Sequence, residues 1–213
     1  MMYSNFKERY IDFPLHVNLR PFKGYDALKF EKKGELKVAH HFMFILVLLS
    51  IAEYVYTGFL VNNNNPHMFS LLRQVTLPIM TVLLINISVW SVTTLMDGKG
   101  KFLEMYQVIL YSSVPLIITK IIALAMSHII IADEAVFYYL VINIGLIWTV
   151  FSFIIGMVVV QEYSLGKTIG TIVLSIVAAI IILFVIVLLF SLMQQLYAFI
   201  IQILREIDYM MGG

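Results

Sequence analysis

Apolar and polar positions along this chain fall into long blocks. Five apolar runs, at about 40–61, 77–96, 105–130, 137–160 and from 168 onward, are divided by short polar segments. Roughly 20 helical residues cross a ~30 Å hydrocarbon layer, so the runs predict five spanning helices. The dividers carry turn chemistry: four asparagines at 62–65 followed by Pro66, then Asp97-Gly98-Lys99-Gly100, Asp133-Glu134, and the loop at 161–167. The last run has no charged residue from 168 to 204, which overshoots one crossing. The expectation is one helix to about Ser191, then a bend or exit at Gln194-Gln195 into an amphipathic extension ending near Met211. Residues 205–213 are left as a tail.

Composition fixes the solvent. The chain is 61% hydrophobic and 13% charged, with mean hydropathy +0.94, against roughly 25% charged residues in soluble domains. It reads as an all-α, polytopic integral membrane protein, a bundle of five transmembrane helices over residues 39–204. A net charge of +1 without a basic patch argues against nucleic acid. The absence of cysteine removes thiol chemistry and thiolate metal sites. The five histidines lack HExxH spacing, and Gly166-Lys167-Thr168 fails as a P-loop because Gln161 stands where the earlier glycine is required. No nucleophile–base pair, metal set or cofactor loop is legible, so neither an enzyme nor a cofactor is expected.

Charge then sets the expected orientation. Residues 1–38 hold eight of the fourteen Lys and Arg residues; with Lys99, Lys101 and Lys167 that makes eleven on one side, against Arg73 and Arg205 on the other. The positive-inside rule puts the N-terminus in the cytoplasm and the C-terminus outside. Within the basic segment, Pro21 suits a first helical position, and Phe22, Tyr25 and Leu28 recur at helical spacing. This predicts a short interfacial helix on the cytoplasmic leaflet, where Lys32, Lys33 and Lys37 would meet anionic headgroups at ~1 kcal/mol each. The bland alternative is a tail that only sets topology.

Polar residues inside the runs are the other candidates. Glu53 and Lys120 lie at similar depth if their helices run outward together, about 20 Å from the cytoplasmic boundary at 1.5 Å per residue. Mid-bilayer charges cost at least ~2.5–3.5 kcal/mol and tend to be paired. An ion pair is therefore allowed, with Asn86 able to complete a polar cluster; separate snorkelling and a transport or proton-relay role are the alternatives. Pro115 should kink the third helix, with Ser112 and Ser113 one turn earlier able to satisfy freed backbone groups. Ser152 and Gly156, and Gly166 and Gly170, stand four apart and suggest close helix packing, within the chain or against a partner.

These residues also carry a resemblance. The turn Asp97-Gly98-Lys99-Gly100 with Phe102, the Tyr111-Ser112-x-x-Pro115 motif, the loop Tyr163-Ser164-Leu165-Gly166-Lys167-Thr168-Ile169-Gly170 and the segment Arg20-Pro21-Phe22-Lys23-Gly24-Tyr25 resemble, in order and spacing, the Yip1-domain family, in particular its bacterial branch. The likeness spans about residues 20–205. It implies a non-enzymatic protein of the bacterial plasma membrane whose partners are lipids and another membrane complex, such as the permease subunits of an ABC-type sugar importer. Eukaryotic members are linked to Rab GTPases; their Asp-Leu-Tyr-Gly-Pro motif has no match here. The rival expectation is a small channel or transporter built on the Glu53, Lys120 and Asn86 layer.

Overall fold

The computed structural model describes residues 6–211, without the side chains of 207–209 and 211; residues 1–5 of the basic segment and 212–213 of the tail lie outside it. Among the described residues the fold is all-helical, and five segments are long and apolar enough to cross a membrane. A π-helical turn, Glu8–Asp12, leads into α1 (Phe13–Leu19) and α2 (Pro21–Lys29). Five crossings follow: α3 (Leu36–Tyr56), α4 (Leu71–Leu95), α5 (Phe102–Ser112) continuing as α6 (Val114–Met126), α7 (Ala135–Gln161) and α8 (Leu165–Met211).

The two ends of the bundle differ. One carries α1, α2 and the turns at 96–101 and 162–164, and is the basic end. The other carries the loops at 57–70 and 127–134.

The third crossing breaks at Ser113, two residues before Pro115. Proline has no N–H to donate four residues back, so α5 and α6 meet at a joint.

α1 and α2 correct the interfacial helix. α2 begins at Pro21 as expected, but Gly24, Tyr25, Ala27 and Leu28 are buried within the bundle, while Phe22 is exposed. With α1 it forms a hairpin docked on α7 and α5. Lys29 reaches Val160, Tyr25 reaches Ser152, and Asn18 meets Trp148. At 1.5 Å per residue, the hairpin tip lies about 20 Å along α7 from Gln161. An apolar stripe drawn toward lipid in the sequence is spent on neighbouring helices.

α8 is the second correction. At Gln194-Gln195 it is not interrupted: one helix of 47 residues runs on to Met211. Its first turns pack on α4 through Thr168, Thr171 and Ser175, all buried, whereas residues 183–200 are all exposed.

Candidate functional site

Glu53 on α3 and Lys120 on α6 meet, with Nζ donating to Oε2 at 2.6 Å. Each side chain is about a quarter exposed, so the pair is partly desolvated. It lines a cavity of about 450 Å³ between α3, α4, α5, α6 and α7, walled mainly by Leu46, Val82, Ile109, Leu116 and Phe153. Ser112, Ser113 and Thr149 also line it; the hydroxyls of the first two are committed to the carbonyls of Ile109 and Leu110. Thr149 Oγ1 is buried without a hydrogen-bond partner among the described residues. Beyond the pair, a second and more polar space of about 600 Å³ shares Ser50, Glu53 and Leu77 with the first and reaches Asn63–Asn65, Arg73 and Gln74. Ser50 donates to Gln74 Oε1 at 2.9 Å across this junction.

Asn86 does not belong to the cluster. It is fully buried, and its amide faces the carbonyl of Phe102 at a long 3.4 Å, near the basic end. The misplacement has a simple cause: counting residues from assumed helix starts gave an approximate depth but no azimuth on α4.

The turn after α4 is tightly built. Asp97 takes a left-handed backbone, φ 56°, and Gly98 N–H bonds back to Thr93 O at 2.8 Å. α7 ends the same way, with Glu162 at φ 56° and Tyr163 N–H on Val158 O at 3.0 Å; both ends are Schellman caps with an acidic residue where glycine is usual. The two turns interlock. Gln161 Oε1 accepts from Gly100 N–H at 2.8 Å, and Tyr163 donates to the carbonyls of Met96 and Thr93 at 2.9 and 3.2 Å. A Cβ on Gly98 would lie 2.4 Å from Gln161 Oε1 and 2.9 Å from the Thr93 carbonyl, and one on Gly100 2.8 Å from Gln161 Nε2, so a side chain at either position would push the Gln161 amide from its place. Phe102, opening α5, stands edge-on to Trp90 with centroids 5.7 Å apart.

Glu162 bridges two lysines, Lys99 at 2.6 Å and Lys29 at 2.9 Å. Their hydrogen bonds, that of Lys99 first, hold its carboxyl below the usual carboxylate range. The bridge ties the 96–101 turn, the end of α7 and the end of α2 into one unit. Lys33 pairs with Glu31, Lys32 has a left-handed backbone (φ 54°), and Lys32 and Lys37 are exposed.

Tyr111, Ser112 and Pro115 form the joint to which the hairpin is fastened. The Tyr111 carbonyl, four residues before Pro115, has lost its helical donor. Asn18 Nδ2 supplies it at 2.8 Å, and also reaches Pro14 O at 2.9 Å. The Tyr111 ring lies fully buried between Phe13 and Phe42, and its hydroxyl accepts from Glu35 N–H at 3.2 Å. Asn18 Oδ1 accepts from Ser152 Oγ at 2.8 Å, which contacts Tyr25 Oη at 2.9 Å. Burial pushes the Tyr25 phenol well above its ordinary range. Asn18 and Glu162 were not singled out in the sequence, and Tyr25 and Gln161 were noted there for other reasons; the i, i+4 spacing of Tyr111 and Pro115 was the available signal that some donor must come from elsewhere.

The small residues divide. A Cβ on Gly156 would lie 2.5 Å from Val108 Cγ1 and 2.9 Å from Tyr25 Cζ, so Ser152 and Gly156 do form a packing face, within the chain. Gly166 and Gly170 do not pack within the chain, since a Cβ on either meets nothing within 4 Å; the buried face of α8 is Thr168, Thr171 and Ser175. Gly145, passed over earlier, is where α7 presses on Thr119 of α6.

Among known families, the Yip1 domain matches residues 17–200, from the middle of α1 through the exposed part of α8. Comparison with curated proteins and with solved structures found no match.

Proposed function

The chain belongs to the Yip1 domain family, and from that premise we propose that it works without chemistry of its own, as a membrane scaffold or accessory whose partner docks along α8. The observation that carries this reading is the mismatch between that helix and its packing. At 1.5 Å per residue, 47 residues extend about 70 Å, more than twice a ~30 Å hydrocarbon layer. Its apolar side chains at 183–200 are exposed to the last one, and the part beyond the bilayer asks for a cover. The bacterial resemblance names the permease subunits of an ABC-type sugar importer as that cover. In this reading the N-terminus and the interlocked turns face the cytoplasm of a bacterium, following the eleven-to-two distribution of basic residues, and Lys32, Lys33 and Lys37 attract anionic headgroups. Affinity purification of the full chain from native membranes in a gentle detergent tests it. Stoichiometric recovery of transporter subunits is the expected result, and recovery of the chain alone contradicts it.

A second reading, a small channel or transporter, draws on the Glu53–Lys120 pair beside its cavity. Without Asn86 the layer holds two charges that neutralise each other, a thin lining for an ion path. Solute flux in liposomes that Glu53→Ala abolishes would favour it.

A further inference from the structure

We propose that the cavity beside the Glu53–Lys120 pair and the polar space beyond it form one binding site for an anionic phospholipid, with an acyl chain in the cavity and the phosphate at Arg73. Access decides the apolar part of the ligand. Leu77, Thr81 and Ile85 of α4 and Val150 of α7 line the cavity and are exposed, which marks its open mouth. In a chain that spans the membrane this mouth faces hydrocarbon, so an occupant enters sideways and brings a chain. The volume of about 450 Å³ falls within the range of small-molecule sites, ~300–1,000 Å³.

Charge decides the polar part. The junction and the polar space hold two cations, Lys120 and Arg73, against one carboxylate, Glu53, and Glu53 is committed to Lys120. Arg73 forms no ion pair among the described residues. Its guanidinium is held in place, donating to Met68 O at 2.9 Å and lying 5.8 Å from the Tyr54 ring centre. A guanidinium with a planar fork of donors suits a phosphate, and the amides of Asn63–Asn65 and Gln74 line the same space as donors for the remaining oxygens. The polar space sits at the 57–70 loop, where a headgroup belongs, and joins the cavity at Ser50, Glu53 and Leu77, so head and chain occupy one continuous path.

Native mass spectrometry of the full chain in non-ionic detergent, given phosphatidylglycerol and phosphatidylcholine of identical chains at equal concentration, tests this site. The expected result is one phosphatidylglycerol retained in clear preference. Arg73→Gln weakens its retention roughly tenfold, the effect of one lost charged hydrogen bond, and brings the two lipids level. Thr81→Trp, which closes the mouth from its exposed rim, lowers retention of both, with the melting temperature of each variant unchanged. Equal retention by the unaltered chain, an undiminished preference in Arg73→Gln, or full retention in Thr81→Trp would each overturn the proposal. So would displacement of the phospholipid by palmitate at the same concentration, which would assign the site to a carboxylate.

Discussion

Asn18 donates its side-chain amide to the Tyr111 carbonyl at 2.8 Å, and so replaces the N–H that Pro115 lacks. One bond thus repairs the proline joint of the third crossing and anchors the N-terminal hairpin inside the bundle. Asn18→Ala removes the 2.8 Å side-chain donor and leaves that carbonyl only the Ser113 N–H, so it should cost about 1 kcal/mol, read as a lower melting temperature in detergent. Pro115→Ala restores a local donor, so the loss caused by Asn18→Ala should shrink in that background; equal losses in both would deny the coupling.

The glycines sort by what surrounds them. Gly156→Ala drives a methyl into Val108 and Tyr25 and should destabilise by ~1–3 kcal/mol, the usual cost of overpacking. Gly166→Ala and Gly170→Ala meet open space and should stay within ±0.5 kcal/mol. Thermal melts of the three variants check this contrast.

Breaking one half of the intramembrane pair should be worse than removing both. Lys120→Ala strands the Glu53 carboxylate that now accepts its proton-rich partner at 2.6 Å, whereas Glu53→Gln with Lys120→Met leaves no net charge to bury. Folded yield should fall further in the single variant than in the double one, and equal losses would remove the pair as a stabilising unit.

Glu162 makes the interlocked turns sensitive to acid. Its carboxyl is held below the ordinary range by Lys99 and Lys29 when folded. A depressed folded value contributes stability above the ordinary carboxylate range that fades as pH falls through the folded value. The melting temperature should therefore drop on acidification, and Glu162→Gln should start lower at neutral pH and respond less to acid.

How much of this was legible in the sequence follows from the kind of signal each feature leaves. Apolar run length fixed the five crossings, and Pro115 announced a break that falls at Ser113. Composition could not say which apolar face meets protein and which meets lipid, since both want the same side chains. Tyr25 and Leu28 therefore read as an interfacial stripe although they are buried against α7 and its neighbours. The same ambiguity hid the glycines, because spacing alone cannot separate the packed Gly156 from the open Gly170. Glu53 and Lys120 were legible as charges of matching depth; Asn86 was misplaced beside them, because its direction around α4 depends on packing. Gln161 gave no local sign of its clamp on Gly100, a contact 61 residues apart in the chain.

The most direct test of the scaffold reading is site-specific photo-crosslinking in native membranes, with a photoreactive residue at Phe184 or Phe190 on the exposed length of α8 and at Ile122 on α6 as control. All three positions are exposed. The reading predicts the same protein adduct, of one defined mass, from both α8 positions and none from Ile122. Lipid adducts alone at all three positions, or an identical protein adduct from Ile122, would contradict it.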